Sequence, residues 1–313
     1  MGNQGEQRLR VLITGGTGLL GYWVSRVFME KGFAVYATYH EKAPPKLGVN
    51  WVRLGLEDLE SIASVAKDVK PDIVIHTAAY TDVDGCEVNK EKAYRVNYLA
   101  TAVLAKASTS ADQFIYISTD YVFDGSRGMY RESDVPAPVN YYGLSKLLGE
   151  VAATSALGSS CVVRVSGLYG YSPTGKKNFG VIAFEKLSRG EPVEAFIDQW
   201  LSPTYVRFLA EKLAKLVEAR VTGFIHIAGE RLSRYEFASI LAEVLGTSKD
   251  LVKPKKLTEA KLVAPRPRDS SLDTSKAREL GLALPSTREC LKDMIETYRR
   301  FAGGEKHYAF QEL

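Results

Sequence analysis

A tyrosine and a lysine stand four residues apart in Tyr142-Gly143-Leu144-Ser145-Lys146, inside a stretch of helical length and apolar spacing at 141–155. On a helix that spacing puts both side chains on one face. A phenol ordinarily holds its proton up to about pH 10, and an ammonium beside it favours the ionised form. The pair therefore predicts a proton donor or acceptor usable near neutrality, Tyr142, tuned by Lys146. A pair at this spacing also arises by chance, so its surroundings decide. Upstream, the apolar run Phe114-Ile115-Tyr116-Ile117 reads as a strand buried on both faces and leads into Ser118-Thr119-Asp120-Tyr121. Open α/β sheets bind ligands beyond the carboxyl ends of their strands, so the Thr119 hydroxyl is placed to steady an oxygen on which charge develops.

Short β-rich runs at 10–14, 34–39, 50–54, 73–77, 114–118 and 161–165 alternate with helical stretches at 18–31, 57–68, 90–107 and 141–155. That rhythm predicts βαβ units in an α/β fold, a doubly wound parallel sheet with helices on both faces. The first strand runs straight into Thr14-Gly15-Gly16-Thr17-Gly18-Leu19-Leu20-Gly21 and then a helix. Glycines allow the tight turn and close backbone approach that a pyrophosphate needs, and the helix N-terminus offers it N–H groups. A dinucleotide is the expected ligand. In NAD sites an acid about 20 residues further on bonds the adenosine ribose. Strand alignment puts Tyr39 there, followed by His40-Glu41-Lys42. His40 and Lys42, with Lys46 beyond, suit a 2′-phosphate, so NADP(H) is expected ahead of NAD(H), which Glu41 would serve.

The 313 residues allow one large α/β unit or two modest domains. Hydrophobic residues at 45% and charged residues at 25% describe an ordinary folded protein and exclude a disordered or fibrous one. The 41 Lys and Arg are interspersed with 37 Asp and Glu, a formal charge of +4 that demands no nucleic acid but welcomes an anionic substrate. Cys86, Cys161 and Cys290 lie far apart, and no histidine falls at metal-ligand spacing, so reduced thiols and no metal site are expected. No signal sequence or membrane-length apolar run is seen, which predicts a cytoplasmic protein without a membrane partner. Beyond 170 come a Gly/Pro/Lys-rich loop at 172–177, short alternating elements, a Pro/Arg-rich stretch at 253–268 and a last helical stretch at 287–301. A dinucleotide-binding domain over 8–170, completed by parts of 196–228, and a mainly substrate-binding region over 171–313 are expected, the tail after Gly303-Gly304 being loose.

Six runs, TGGTGLLG (14–21), HTAAYTDVD (76–84), STDYVFDG (118–125), YGLSKLLGE (142–150), DQWLSPT (198–204) and RPRDSSLDTS (266–275), occur in the order seen in one family. Over nearly its whole length the chain resembles the extended short-chain dehydrogenase/reductases, most closely the dTDP-4-dehydrorhamnose reductases. The resemblance implies a Rossmann-like sheet with a smaller α/β substrate-binding region and NAD(P)H-dependent reduction of the C4 keto group of a deoxysugar nucleotide. It implies that Tyr142 protonates the sugar C4 oxygen, that Lys146 tunes it and holds the nicotinamide ribose, and that Thr119 bonds the same oxygen. Gly15, Gly18, Leu19, Leu20 and Gly21 would lie along the pyrophosphate and Ala78 and Ala79 beside the adenosine half, the alanines serving equally as close packing. Asp120, Tyr121, Asn178, Phe179 and Arg266 would embrace the nucleotide-sugar, and Asn97 would hold backbone near the cofactor or tie helix to strand.

Three positions depart from the pattern: Leu201 replaces a small residue in DQWLSPT, Gly167 stands where well-known bacterial members carry tryptophan, and Gly55 replaces the acid usual after the third strand. A regulatory reading is also open, because the beta subunit of methionine adenosyltransferase shares the fold and similar runs. A nucleotide-sugar dehydratase is disfavoured, since that chemistry needs an acid where Tyr121 stands. The nucleotide-sugar and a second copy of the chain, as a homodimer, are the partners this reading allows.

Overall fold

The computed structural model describes residues 8–302, and the tail read as loose lies outside them. Strands β1 (Arg10–Thr14), β2 (Ala34–Tyr39), β3 (Asn50–Arg53), β4 (Ile73–His76), β5 (Gln113–Thr119) and β6 (Ser160–Val165) follow the apolar runs to within a residue at either end. Between them come helices α1 (Leu19–Glu30), α2 (Leu59–Val69), α3 (Val83–Val88), α4 (Lys90–Tyr94), α5 (Ala100–Ala107) and α6 (Tyr141–Ala156). The remaining strands are β7 (Leu168–Tyr169), β8 (Val193–Phe196), β9 (Trp200–Leu201), β10 (Thr204–Tyr205), β11 (Gly223–His226), β12 (Leu232–Ser233) and β13 (Val252–Lys255). The remaining helices are α7 (Phe179–Ser188), α8 (Val206–Glu218), α9 (Arg234–Leu245), α10 (Ser275–Glu279) and α11 (Thr287–Ala302).

Seven strands make one parallel sheet in the order β11-β6-β5-β4-β1-β2-β3. Every residue of β4, β5 and β6 is buried, as strands covered on both faces must be. On one face Trp23 and Phe28 of α1 and Leu209 and Leu213 of α8 pack on Val11, Ile13, Ile115 and Val163. On the other, Ile62, Ala66, Leu104 and Ala153 of α2, α5 and α6 cover Leu12, Val74 and Phe114. After β3 the chain crosses to the far side of β1 as β4, and this reversal opens a crevice at the carboxyl ends of β1 and β4. Late in the chain α8 and β11 return to this unit, β11 pairing with β6. The parallel pair β8 and β13 is wrapped by α7, α9 and α11, which share a core of Phe184, Leu187, Phe237, Leu241, Leu291 and Met294. No helix among the described residues is long and apolar enough to cross a membrane.

Two local departures matter for the site. The stretch 90–107, expected as one helix, is α4, a π-helical turn over Arg95–Leu99 and α5. Single π turns inside helices concentrate at functional sites, and this one carries Asn97. Helix α3, which begins on the last two residues of HTAAYTDVD, is too short to show a period; the Asp82 side chain caps it through the Gly85 N–H at 3.0 Å.

Candidate active site

A cleft of about 700 Å³ runs along the carboxyl ends of the sheet from the turn after β1 to the first turns of α6. Gly15 takes a φ of 72°, and a Cβ on Gly21 would lie 2.1 Å from the Gly15 carbonyl oxygen, so turn and helix close on each other only as glycines. Gly18 is the N-cap of α1 and no side chain caps that helix end, which leaves its first N–H groups for a ligand. Gly15, Gly18, Leu19, Leu20 and Gly21 line one wall, and Ala78 and Ala79, after β4, line another. The Thr38 hydroxyl accepts the Gly15 N–H at 3.0 Å and the Thr14 hydroxyl accepts the Ala78 N–H at 3.2 Å. Behind them His76 bridges Thr14 at 2.6 Å and Thr101 at 3.0 Å, a structural histidine whose burial holds its pKa down to about 3. An uncapped helix end, a Cβ-free floor and this volume fit a dinucleotide.

At the adenosine end Tyr39, His40 and Glu41 line the cleft. Gly55 explains itself here: a Cβ on it would meet the His40 Nε2 at 3.0 Å, so the missing acid leaves room for the imidazole. Lys42 corrects the expectation for its position. It is not in the cleft wall and donates instead to the Thr174 carbonyl at 3.0 Å. That contact helps tie down the Gly/Pro/Lys-rich loop, which spans the cleft: Thr174 donates to the Thr17 carbonyl at 3.3 Å and Lys176 to the Thr81 hydroxyl at 3.1 Å. Lys176, Lys177 and, from α4, Lys92 line the cleft, three cations that sequence reasoning did not assign to the site. The run of lysines in the loop was the only signal for two of them.

At the other end the structure brings Thr119, Tyr142 and Lys146 into one wall. The Asn140 side chain caps α6 by accepting the Gly143 N–H at 2.8 Å, and a Cβ on Gly143 would strike the Tyr121 carbonyl at 2.1 Å. Glycine therefore lets the first turn of α6 lie directly on the loop after β5, which sets Tyr142 beside Thr119. The expected lowering of the phenol pKa by Lys146 is corrected. Burial raises Tyr142 well above the ordinary phenol value, against a hydrogen bond with Thr119 that works the other way. Lys146 points its ammonium to the Ile117 carbonyl at 2.8 Å and over the Tyr116 ring at 4.1 Å, and burial pulls its pKa down to about 7, Glu150 opposing. The phenol is thus held as a proton donor.

Asp120 does not line the cleft. Its carboxylate is buried, accepting from Ser270 at 2.5 Å, Ser166 at 2.8 Å and Thr119 at 3.0 Å, and burial raises its pKa to about 6. It ties two of the motif runs, 118–125 and 266–275, to Ser166 at the end of β6 and orients Thr119, whose oxygen also accepts the Tyr121 N–H at 3.2 Å. Tyr121 stands behind Tyr142, ring centroids 6.0 Å apart, and is absent from the cleft wall. Arg266, expected on a diphosphate, donates to Asp84 at 2.9 Å and to the Ala264 carbonyl at 2.8 Å. Asn178 borders the cleft while its side chain caps α7 and grips Gly170, with its amide 2.7 Å from the Gly170 carbonyl. Phe179 lines a separate chamber of about 100 Å³ that shares Gly167 and Leu168 with the cleft. The two departures there are one feature, because a Cβ on Gly167 would lie 2.2 Å from the Leu201 Cδ1, so leucine occupies the room beside glycine.

Two buried sets of bonds support the pair on α6. Asn97 accepts the Tyr80 N–H at 2.8 Å and donates to the Tyr80 carbonyl at 3.0 Å and to Ser145 at 2.9 Å, so it joins the segment after β4 to the turn carrying Tyr142. One turn beyond Lys146, Glu150 takes two bonds from Arg164 at 2.9 and 2.7 Å and one from Ser118 at 2.6 Å.

A family model described as the RmlD substrate binding domain matches residues 9–300. A probable low-salt glycan biosynthesis reductase, Agl14, of Haloferax volcanii is 35% identical over 285 residues, 89% of this chain and 95% of that protein. The methionine adenosyltransferase 2 subunit beta of Pongo abelii is 33% identical over 283 residues, 87% of this chain and 83% of that one. Among solved structures, a dTDP-4-dehydrorhamnose reductase from Bacillus anthracis in complex with NADP matches with a TM-score of 0.81 at 31% identity, over 93% of this chain and 100% of that chain.

Proposed function

The chain belongs to the RmlD substrate-binding-domain family of NAD(P)-dependent oxidoreductases, and we propose that it reduces the C4 keto group of a deoxysugar nucleotide, dTDP-4-dehydro-L-rhamnose to dTDP-L-rhamnose, in the cytoplasm. The observation that carries this reading is the single cleft whose wall holds both an uncapped helix end and a half-buried, protonated Tyr142. The reduced nicotinamide, when bound, supplies the hydride. Tyr142 gives its proton to the C4 oxygen, and Thr119, fixed by Asp120, steadies that oxygen as charge grows on it. Lys146 keeps an ammonium under the same wall below about pH 7 and is the group to hold the nicotinamide ribose. NADPH is the preferred reductant in this reading, with His40 as the group that meets the 2′-phosphate.

The test mixes pure protein with dTDP-4-keto-6-deoxy-L-mannose and NADPH or NADH. The expected result is loss of the nicotinamide absorbance one for one with product. Conversion of dTDP-glucose to its 4-keto-6-deoxy product without net cofactor loss would overturn the reading. The similarity to methionine adenosyltransferase beta subunits supplies a second one. No turnover together with tight binding of a methionine adenosyltransferase catalytic subunit would favour it.

A further inference from the structure

The chamber beside the cleft is walled by Gly167, Leu168, Phe179, Leu201, Phe237 and the side chain of Arg234, the first residue of α9. An arginine offers five N–H donors and cannot shed its charge. Here the guanidinium stacks on Phe179, 4.9 Å from the ring centroid, and spends one donor on a long 3.4 Å bond from Nε to the Gln199 side chain. Neither of its terminal nitrogens has an acceptor among the described residues, and no carboxylate pairs with it. The acid that acts on it, Asp120, is already shared by three hydroxyls. Arg266 lies close enough to repel it, and Arg266 has Asp84 for itself. A half-buried cation with an idle fork, next to a second cation, is an arrangement that an anion relieves.

Position gives the anion an identity. From Tyr142 the contacts pass to the Tyr121 ring, then from the Tyr121 hydroxyl to Gln199 at 3.4 Å, then to Arg234. A sugar whose C4 oxygen meets Tyr142 would carry its C1 substituent away from that group, and Gly167 and Leu168 line both the cleft and the chamber, which sets the two side by side. The chamber has room for a group of a few water volumes, not for a whole nucleotide. We propose that Arg234, stacked on Phe179, holds the diphosphate of the nucleotide-sugar at this chamber, and that Leu201 in the room beside Gly167 shapes its wall. The inference rests on the reading above that the substrate is a nucleotide-sugar, and it moves diphosphate recognition from Arg266 to Arg234.

The test compares wild type with Arg234→Gln and Arg234→Lys, using the keto sugar nucleotide as substrate and dTDP and inorganic pyrophosphate as probes. Loss of a charged, bidentate donor predicts a KM about 10- to 100-fold higher in Arg234→Gln with kcat within a few-fold. Inhibition by dTDP should weaken by a similar factor, NADPH affinity should stay unchanged, and Arg234→Lys should recover part of the loss. A thermally stable Arg234→Gln protein with wild-type KM and wild-type dTDP inhibition would overturn the proposal, as would a fall in NADPH affinity in place of the KM change. If Arg234→Gln misfolds, the charge-preserving Arg234→Lys carries the test, and unaltered KM and dTDP inhibition there count against a bidentate fork. Wild-type protein that reduces nothing yet binds dTDP through Arg234 would sink the reductase reading and leave this one standing.

Discussion

At Tyr142 burial and catalysis pull in the same direction. A phenol that keeps its proton far into the alkaline range is a poor base and a dependable acid, which is what the reductive direction asks of it. Tyr142→Phe should lower kcat by about 10²–10⁴-fold. NADPH affinity, followed by fluorescence titration, should barely change, and a variant retaining more than half of its turnover would remove Tyr142 from the role. The pH profile separates the two partners. Lys146 loses its proton near pH 7, so reductive turnover should fall as pH rises through that value, flatten in Lys146→Met, and show no second fall near the ordinary phenol pKa. The adenosine end yields a sharper contrast. NADPH should bind more tightly than NADH, His40→Ala should narrow the gap, and Lys42→Ala should leave it, because Lys42 serves the Thr174 carbonyl. Calorimetry showing NADH preferred by the wild type would contradict this assignment.

Elements explain which residues could be read from the chain and which could not. The turn after β1 and the pair on α6 are local patterns: strand, glycines and helix in one run, or two side chains one helical turn apart, need no knowledge of the rest of the fold. Asn97 and Arg234 work across long separations, Asn97 to Tyr80 and Ser145, Arg234 to Phe179 and Gln199, and no periodicity announces them: Asn97 is picked out only through the family resemblance, and Arg234 not at all. Arg266 and Lys42 misled because residue type says nothing of where a loop side chain points. The π turn is the clearest such case, since its apolar spacing reads as uninterrupted helix while its geometry turns Asn97 toward Tyr80. Asn97→Ala would orphan buried backbone groups at a cost of about 1–3 kcal/mol. The melting temperature should drop, and well below it kcat should still fall while NADPH affinity holds. Equal losses in both, or neither, would reduce Asn97 to packing.

Over the whole molecule, buried histidines set the acid limit. His76 and His226 are held near 3 by burial, against an ordinary 6.5, so in that window the unfolded chain binds two protons that the folded chain refuses. Stability therefore falls as pH falls below about 6.5, by up to about 2.7 kcal/mol per pH unit for the two groups. Asp120 opposes them, since its pKa is raised to about 6 and the folded state keeps a proton there that the unfolded state releases until about 3.8. For these three groups taken together the slope from about pH 6 to 4 is that of one proton, about 1.4 kcal/mol per unit. Urea midpoints at several pH values should show the fall, and His226→Gln should make it shallower by about one proton's worth. A midpoint constant from about pH 7 to 4 would count against this balance. Six of the sheet's seven strands are readable, the central β4, β5 and β6 most plainly because they are buried on both faces, whereas β11, which joins the sheet late in the chain, and the β8 and β13 pair, which joins residues far apart in sequence, read as isolated short runs.

The most direct measurement follows one atom. Cofactor carrying deuterium at the transferable position of the reduced nicotinamide is incubated with enzyme and dTDP-4-keto-6-deoxy-L-mannose, and the product is examined by mass spectrometry and proton NMR. One deuterium at C4 of the sugar, oxidised cofactor in equal amount and loss of both in Tyr142→Phe are the expected outcome. A 4-keto sugar recovered without deuterium while wild-type enzyme and cofactor remain intact, or label returned to the cofactor after the sugar has changed, would contradict net reduction at C4.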